Sequence, residues 1–171
     1  MLIIVTGNTG AGKTTVCEKV LGIAKSLGYN CGGIITYKAE DRSIIIEDVQ
    51  SGERKELASI KNIYQGPRTG KYFFNPAGIE FGAEAINRGI SCDILFIDEI
   101  GHLELGGEGF IQTLKLGRND SSKNCILVIR SELLPAFLPQ LPKTPLIFET
   151  TTDNRDELPQ EIGLILSKEL S

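Results

Sequence analysis

The sequence predicts an α/β fold in which helices cover both faces of a mostly parallel β-sheet. Short apolar runs, typical of strands buried in a parallel sheet, alternate along the chain with segments of helical periodicity. Closely spaced strand and turn signals interrupt this alternation over about 38–75. We therefore expect a single three-layer domain over residues 1–171, with an antiparallel β-hairpin insertion at one edge of the sheet, near the C-terminal ends of the strands.

The first elements follow directly from the residue pattern. The apolar run Leu-Ile-Ile-Val at 2–5 predicts the first strand, and a single apolar stripe predicts a helix over 13–28. Gly28 is expected to end that helix, because glycine readily adopts the left-handed conformation that closes many helices. A second strand is predicted over 31–37.

The next segment has the pattern of a hairpin followed by a short strand. Residues 43–50 and 53–60 are predicted strands, and the two residues between them, Ser51-Gly52, suit a tight turn. Residues 70–74 predict one more short strand. These three strands make up the predicted insertion.

A second long helix is predicted over 76–88. Asn75 is a favoured N-cap, Pro76 is favoured at the first helical position, and Gly89 would then occupy C′. The remaining predicted elements are strands over 93–98, 125–129 and 145–148, and helices near 108–118, 131–138 and 153–170, the last with Asp153 as a possible N-cap.

The turn after the first strand is the strongest functional signal. Residues 7–14, Gly-Asn-Thr-Gly-Ala-Gly-Lys-Thr, have the spacing of a P-loop, whose backbone N–H groups surround a polyphosphate. Lys13 would reach the β- and γ-phosphates, and the Thr14 hydroxyl would be a ligand of Mg²⁺. The predicted phosphate contacts are Gly7, Asn8, Thr9, Gly10, Ala11, Gly12, Lys13, Thr14 and Thr15.

A second motif follows the apolar strand at 93–98. Asp98 and Glu99 stand at its end, as in a Walker B motif. Asp98 would bind Mg²⁺, usually through water, and also contribute to the nucleotide site. Glu99, pointing the other way on an extended backbone, would orient and deprotonate the attacking water. The alternative for Glu99 is a strand-end or surface ion-pair role.

Two further residues are weaker candidates. Asp-Glu-Ile-Gly at 98–101 fits a D-x-x-G pattern in which the Gly101 amide contacts the γ-phosphate, although Gly101 could equally just end the strand. Arg130 ends a predicted buried strand, where a guanidinium could stabilise the transition state; a solvated surface role is the alternative. With Lys13 and Glu99, Arg130 completes the predicted catalytic set.

Composition narrows the possible partners. The net charge of −4 argues against broad binding to nucleic acid or anionic membranes, and no apolar run is long enough to span a bilayer. The four cysteines form no C-x-x-C pair and there is one histidine, so a zinc site is not expected. Reduced, buried cysteines and the absence of a leader pattern predict a cytoplasmic protein.

Five segments, taken in order, resemble the small bacterial and archaeal nucleoside-triphosphatase family related to human cancer-related nucleoside-triphosphatase. They are residues 7–15, 32–37, 70–72, 98–105 and 152–156. The resemblance spans nearly the whole chain, and the combination of Asp-Glu-Ile-Gly with Asn-Arg-Asp is its most specific part.

The resemblance implies a P-loop NTPase fold with a RecA-like core, in which later strands flank the P-loop strand. It also implies Mg²⁺-dependent hydrolysis of several nucleoside triphosphates, ATP, GTP, CTP and UTP among them, to diphosphate and phosphate. Asn154 and Arg155 would lie near the base or ribose, with helix capping and surface charge as their alternatives.

Three functions are consistent with these residues. The leading hypothesis is a nucleoside-triphosphate hydrolase. The second is a small nucleoside or nucleotide kinase, which would need an acceptor site and often an arginine-rich lid, whereas the arginines here are dispersed. The third is a non-catalytic nucleotide-dependent switch, in which Gly101 and residues 38–75 move with γ-phosphate occupancy and a partner protein reads the change.

Overall fold

The computed structural model describes residues 1–110, 124–141 and 144–169. The strands among them are β1 (Leu2–Gly7), β2 (Cys31–Lys38), β3 (Ile44–Asp48), β4 (Arg54–Ser59), β5 (Arg68–Thr69), β6 (Tyr72–Phe74), β7 (Ile94–Ile100), β8 (Asn124–Arg130) and β9 (Leu146–Glu149). The helices among them are α1 (Lys13–Ser26), α2 (Pro76–Gly89), α3 (His102–Leu105), α4 (Leu134–Phe137), which continues into a 3₁₀ turn at Leu138–Gln140, and α5 (Leu158–Glu169).

The strands form one continuous sheet. Its order is β5-β6-β4-β3-β2-β7-β8-β1-β9. The pairs β2·β7, β7·β8, β8·β1 and β1·β9 are parallel, whereas β3 to β6 add antiparallel strands beyond β2. The predicted α/β class, the RecA-like placement of the first strand between later strands, and the antiparallel insertion at the sheet edge are confirmed.

Two apolar cores lie on opposite faces of this sheet. Strand β1 contributes to both, because Ile3 and Val5 face one core while Leu2 and Ile4 face the other. Helices α1 and α5 cover the first face, and α2 and α4 cover the second. Strands buried on both faces explain why their sequences read as continuous apolar runs rather than as an alternation.

The predicted ends of two helices are confirmed by their hydrogen bonds. Gly28 has φ +88°, its N–H donates to the carbonyl oxygen of Lys25 at 3.0 Å, and the Tyr29 N–H donates to that of Ala24 at 3.1 Å. These bonds satisfy carbonyls in the last turn of α1. At the start of α2, the Asn75 side chain accepts a hydrogen bond from the Ala77 N–H at 3.1 Å.

Two predicted caps are wrong. Gly89 is the last helical residue of α2 rather than C′, and Ile90 is the C-cap. Helix α5 begins at Leu158, so Asp153 does not cap it; residues 152–157 form turns instead. Pro159 is tolerated there because the first turn of a helix needs no intrahelical N–H donor. The helix predicted near 108–118 lies mostly outside the described residues.

The position of Gly89 is explained by close packing between helix and sheet. A Cβ built on Gly89 would lie 2.5 Å from the backbone nitrogen of Gly33 and 2.8 Å from the carbonyl carbon of Gly32. Because both neighbours are backbone atoms of β2, a methyl group fits only if α2 moves away from the sheet. Tertiary packing, not a left-handed glycine cap, therefore requires glycine here.

We expect Gly89→Ala to lower the free energy of unfolding by roughly 3 kcal/mol, since the added methyl group overpacks the α2–β2 contact. Gly22→Ala is the matched control, because Gly22 also lies inside a helix but a Cβ there meets no atom within 4 Å. That change should stabilise the protein by about 0.5–1 kcal/mol through helix propensity. Urea denaturation measures both, and equal effects would contradict the packing argument.

None of the helices in the described segments is both apolar enough and long enough to cross a bilayer.

Candidate functional site

The topology brings both predicted motifs to one edge of the sheet. Residues 7–14 connect the C-terminal end of β1 to the start of α1. Asp98 and Glu99 lie near the C-terminal end of β7, and Arg130 ends β8, which separates β7 from β1. Parallel strands direct their carboxyl ends to the same edge, so these groups converge although more than 80 residues separate the two motifs in sequence.

The P-loop has the backbone conformation that its glycines allow. Gly7, Gly10 and Gly12 have φ values of +149°, +81° and +102°. The turn is closed by a hydrogen bond of 3.1 Å from the Ala11 N–H to the Asn8 carbonyl oxygen. Side chains at these glycines would need a strained backbone, so the loop depends on glycine for its shape.

Lys13 is held across this loop. Its Nζ donates to the Asn8 carbonyl oxygen at 2.8 Å, and only 6% of the residue is exposed. Burial lowers the pKa of Lys13, while the nearby carboxylate of Glu99 raises it, with a smaller contribution from Asp98. The ammonium group is therefore close to both acidic residues.

Asp98 is the most deeply buried of the polar site residues. It has no exposed surface, and neither carboxylate oxygen has a hydrogen-bond partner of normal geometry among the described residues. Burial, followed by the charge of Glu99, raises the pKa of Asp98 to about 7; weaker interactions with the Thr14 hydroxyl and the Thr36 backbone oppose this rise. Two unpartnered buried oxygens beside Thr14 are suited to a hard cation.

Glu99 forms an ion pair with Arg130. The Arg130 Nε donates to the Glu99 Oε1, and their side chains are 33% and 24% exposed. Asp98 and Glu99 differ in their surroundings, because Asp98 has no exposed surface whereas the Glu99 side chain is 24% exposed. The β7–β8 register shifts between Ile97 and Ile100, and both carboxylates act electrostatically on Lys13.

Gly101 has a different hydrogen bond from the one predicted. Its N–H donates to Glu104 Oε2 at 2.8 Å, while Glu104 Oε1 accepts from the Phe110 N–H at 3.1 Å. Glu104 is 4% exposed, and burial raises its pKa. A contact between the Gly101 amide and a γ-phosphate would require this amide to leave Glu104.

Asn154 and Arg155 lie beyond β9, on the opposite side of the P-loop from Glu99. The Asn154 amide closes the turn after β9: Oδ1 accepts from the Thr151 N–H, and Nδ2 donates to the Glu149 carbonyl oxygen, both at 2.8 Å. Arg155 is exposed and lies over Gly12, where an added Cβ would come 3.1 Å from its Cδ. Arg155 therefore borders the P-loop, whereas Asn154 mainly shapes the turn.

Sequence reasoning missed Ser131 and Glu104. The Ser131 hydroxyl donates to Asn8 Oδ1 at 2.9 Å, and its backbone N–H donates to the Gly7 carbonyl oxygen at 3.2 Å, which ties the end of β8 to the P-loop. A serine directly after Arg130 at a strand end was a usable signal. Nothing in the sequence pattern pointed to Glu104, because it accepts hydrogen bonds from backbone N–H groups, which do not depend on residue type.

Asp98 leads to a prediction about pH. An unfolded aspartate ionises near 3.8, whereas Asp98 in the folded protein ionises near 7. Between these values the folded state binds the extra proton, so without divalent cations the stability of the wild type should fall as pH rises from about 4 to 7. Asp98→Asn should therefore be more stable than wild type at pH 8, by at most about 4 kcal/mol, and show little difference near pH 4.

Urea denaturation in EDTA at both pH values measures this difference. Asp153→Asn, at an exposed position, is the control and should change stability by less than about 0.5 kcal/mol at either pH. An Asp98→Asn variant that is less stable than wild type at pH 8 would show that the buried carboxylate is compensated in the folded state.

The sheet order, the P-loop and the acidic residues two strands away define a P-loop nucleotide-binding protein of RecA-like architecture. The chain belongs to the NTPase family, whose model matches residues 2–163.

Individual relatives agree with this assignment. The chain is 32% identical to Nucleoside-triphosphatase THEP1 of Methanosarcina acetivorans over 166 residues, which cover 94% of this chain and 93% of that protein. It is 31% identical to the protein of the same name from Methanopyrus kandleri, over 94% of this chain and 92% of that protein.

Solved structures share the fold. The crystal structure of THEP1 from the hyperthermophile Aquifex aeolicus superposes with a TM-score of 0.76 at 27% identity, covering 95% of this chain and 96% of that one. The solution structure of a human cancer-related nucleoside triphosphatase gives a TM-score of 0.78 at 23% identity, covering 98% and 97%, and supports the fold alone.

Proposed function

We propose that this protein is a Mg²⁺-dependent nucleoside-triphosphatase that hydrolyses NTPs to NDP and phosphate, with Glu99 as the general base. The observation that carries the proposal is the position of Glu99: it lies at the P-loop edge of the sheet, acts electrostatically on Lys13 and is held by Arg130. The curated relatives, which cover most of this chain, bear the name nucleoside-triphosphatase.

Phosphate binding would come from the P-loop. The backbone N–H groups of residues 7–15 and the Lys13 ammonium would hold the β- and γ-phosphates, and the N-terminus of α1 adds a favourable dipole. Since Lys13 now bonds the Asn8 carbonyl oxygen, it would exchange this neutral acceptor for a charged phosphate.

Mg²⁺ fits the residues next to it. The Thr14 hydroxyl and the Asp98 carboxylate, directly or through water, would hold the ion together with phosphate oxygens, because Mg²⁺ prefers hard oxygen ligands and keeps several waters. The unpartnered buried oxygens of Asp98 support this assignment. When bound, the ion would neutralise part of the phosphate charge.

Glu99 and Arg130 would carry out complementary parts of hydrolysis. Glu99 would accept a proton from the attacking water as its oxygen bonds to the γ-phosphorus and the bond to the β–γ bridging oxygen breaks. Arg130 would donate to the equatorial oxygens of the transferred group, where negative charge is concentrated in the transition state. Their ion pair keeps both side chains at the reacting end of the site.

Base recognition is proposed to be broad, with ATP, GTP, CTP and UTP all as substrates. The chain contains no Asn-Lys-x-Asp motif for selecting guanine. Arg155, exposed above Gly12, would contact the ribose or base, and Asn154 would support it by shaping the turn. An exposed guanidinium can stack on any base, which is consistent with low selectivity.

Two broader statements belong to the proposal. Residues 1–171 would form one domain, which is supported by the continuity of the sheet through the 38–75 insertion. A cytoplasmic location is supported by Cys17 and Cys31, which are buried and form no disulfide, as is usual in a reducing compartment. Burial also raises the pKa of Cys31 to about 11 and that of Cys17 well above its ordinary value, so both thiols remain protonated.

Phosphate release from each of the four triphosphates tests the proposal. We expect release from all four with Mg²⁺, with rates that differ by less than roughly tenfold because the recognised part is the shared triphosphate. EDTA should abolish it. No release from any triphosphate, or release unchanged by EDTA, would contradict the proposal.

A further inference from the structure

A cavity of about 340 Å³ lies beside Glu99 and Arg130. The C-terminal edge of β2 and the antiparallel strands β3, β4 and β6 form much of its wall. Its size falls within the range of small-molecule sites. Much of its lining is apolar, and Tyr72 adds a third aromatic ring to those of the apolar residues, which are Ile44, Leu57, Phe74, Leu103 and Phe110.

The sheet order places this cavity on the far side of the reacting groups from Arg155. Along the C-terminal edge of the sheet, Arg155 follows β9, the P-loop follows β1, Arg130 ends β8, and Glu99 lies on β7. The cavity continues from there to β2 and the antiparallel strands. A triphosphate whose base lies near Arg155 would thus present its γ-phosphate toward the cavity.

Most charged groups that line the cavity already interact with a protein group. Arg130 is paired with Glu99, Glu104 accepts from two backbone N–H groups, and the Lys71 ammonium lies 5.6 Å from the centroid of the Tyr72 ring. The other polar side chains of the wall are the Thr36 and Thr69 hydroxyls, the Tyr72 phenol and the His102 imidazole. This lining suits an uncharged ligand with a flat ring and hydroxyl groups rather than an anion.

We propose that the cavity binds a ring-bearing primary alcohol of about nucleoside size, which replaces water as acceptor of the γ-phosphoryl group. This inference rests on the proposed function, because it uses the same triphosphate site and the same base. The alcohol oxygen bonds to the γ-phosphorus while its proton passes to Glu99. The bond to the β–γ bridging oxygen breaks, so the products are NDP and a phosphate monoester of the alcohol.

Product stoichiometry tests the inference. The enzyme is incubated with Mg²⁺ and γ-³²P-labelled ATP, with thymidine, cytidine or pyridoxine as the probe at millimolar concentration. We expect at least one probe to make ADP exceed inorganic phosphate, with the missing label in a monoester of that probe. Equal ADP and inorganic phosphate with all three probes would overturn the inference.

Variants that fill the cavity test whether the acceptor alcohol binds there. Ile44→Trp fills the cavity from β3, and Thr69→Trp fills it from the less buried β5, in case the first variant folds poorly. Either should lower monoester formation at least tenfold while hydrolysis in water changes less than about threefold. Ile63→Trp is the control, since Ile63 is 60% exposed and does not line the cavity. Transfer that survives both cavity variants would also overturn the inference.

Failure of the inference differs from failure of the proposed function. If ATP gives ADP and inorganic phosphate in equal amounts with every probe, the proposed hydrolase function is supported and the acceptor site is contradicted. If no ATP is consumed either with or without a probe, the proposed function itself is contradicted, and so is the inference that rests on it.

Discussion

Lys13→Ala is expected to weaken ATP binding by roughly 30- to 700-fold, corresponding to a loss of about 2–4 kcal/mol. The Lys13 ammonium is buried at the P-loop and would make charge-assisted hydrogen bonds to two phosphates. Its removal also takes away a cation that offsets the negative charges of Asp98 and Glu99 next to the incoming phosphates, so repulsion adds to the lost bonds.

Titration with a fluorescent ATP analogue, or calorimetry with ATP, measures this loss in the presence of Mg²⁺. Lys19→Ala is the matched control: it lies on the same helix, but its Nζ bonds exposed Asp156 at 2.7 Å and its side chain is 45% exposed. That variant should bind ATP within about twofold of the wild type. Normal ATP binding by the Lys13 variant would remove the P-loop assignment.

Glu99→Gln is expected to lower turnover by roughly 10²- to 10⁴-fold, because the amide cannot accept the proton of the attacking water. Glutamine retains the size of glutamate and an oxygen that can accept from Arg130, so the local geometry should persist. ATP binding should stay within about threefold of the wild type or become tighter, since one negative charge near the phosphates is lost.

Single-turnover phosphate release and equilibrium binding separate these two effects. Glu132→Gln is the control, because exposed Glu132 also acts electrostatically on Lys13 but does not pair with Arg130. If both variants lose turnover equally, the effect is one of general charge, and Glu99 is not the base. Unchanged turnover in Glu99→Gln leads to the same conclusion.

Most elements could be predicted from the sequence because their signals are local. The P-loop glycines, the apolar run of β1 and the stripe of α1 each depend on residues within about one turn or strand. The Asn75 cap was predictable for the same reason, since neighbouring backbone groups determine it. The predicted two-residue turn at Ser51-Gly52 is too short, because β3 ends at Asp48 and β4 begins only at Arg54.

The errors arose where distant segments decide the local conformation. Gly89 has the appearance of a helix-ending glycine, but its absent side chain is required by contact with β2, more than 50 residues earlier. The register shift near Asp98 and Glu99 arises from the pairing of β7 with β8, so the residues of β7 alone do not predict it. The Gly101 amide was predicted to contact the γ-phosphate, but in the structure its N–H donates a hydrogen bond to the Glu104 carboxylate.

The sequence alone determined that this chain has a P-loop, two acidic residues at the end of a buried strand, and an α/β fold to carry them. Those properties follow from backbone freedom at glycine and from hydrophobic periodicity, which are local. Only the tertiary structure decided that Glu99 pairs with Arg130, that Asp98 is fully buried and that a cavity adjoins them. The order of strands in the sheet sets these relations, and long-range packing determines that order.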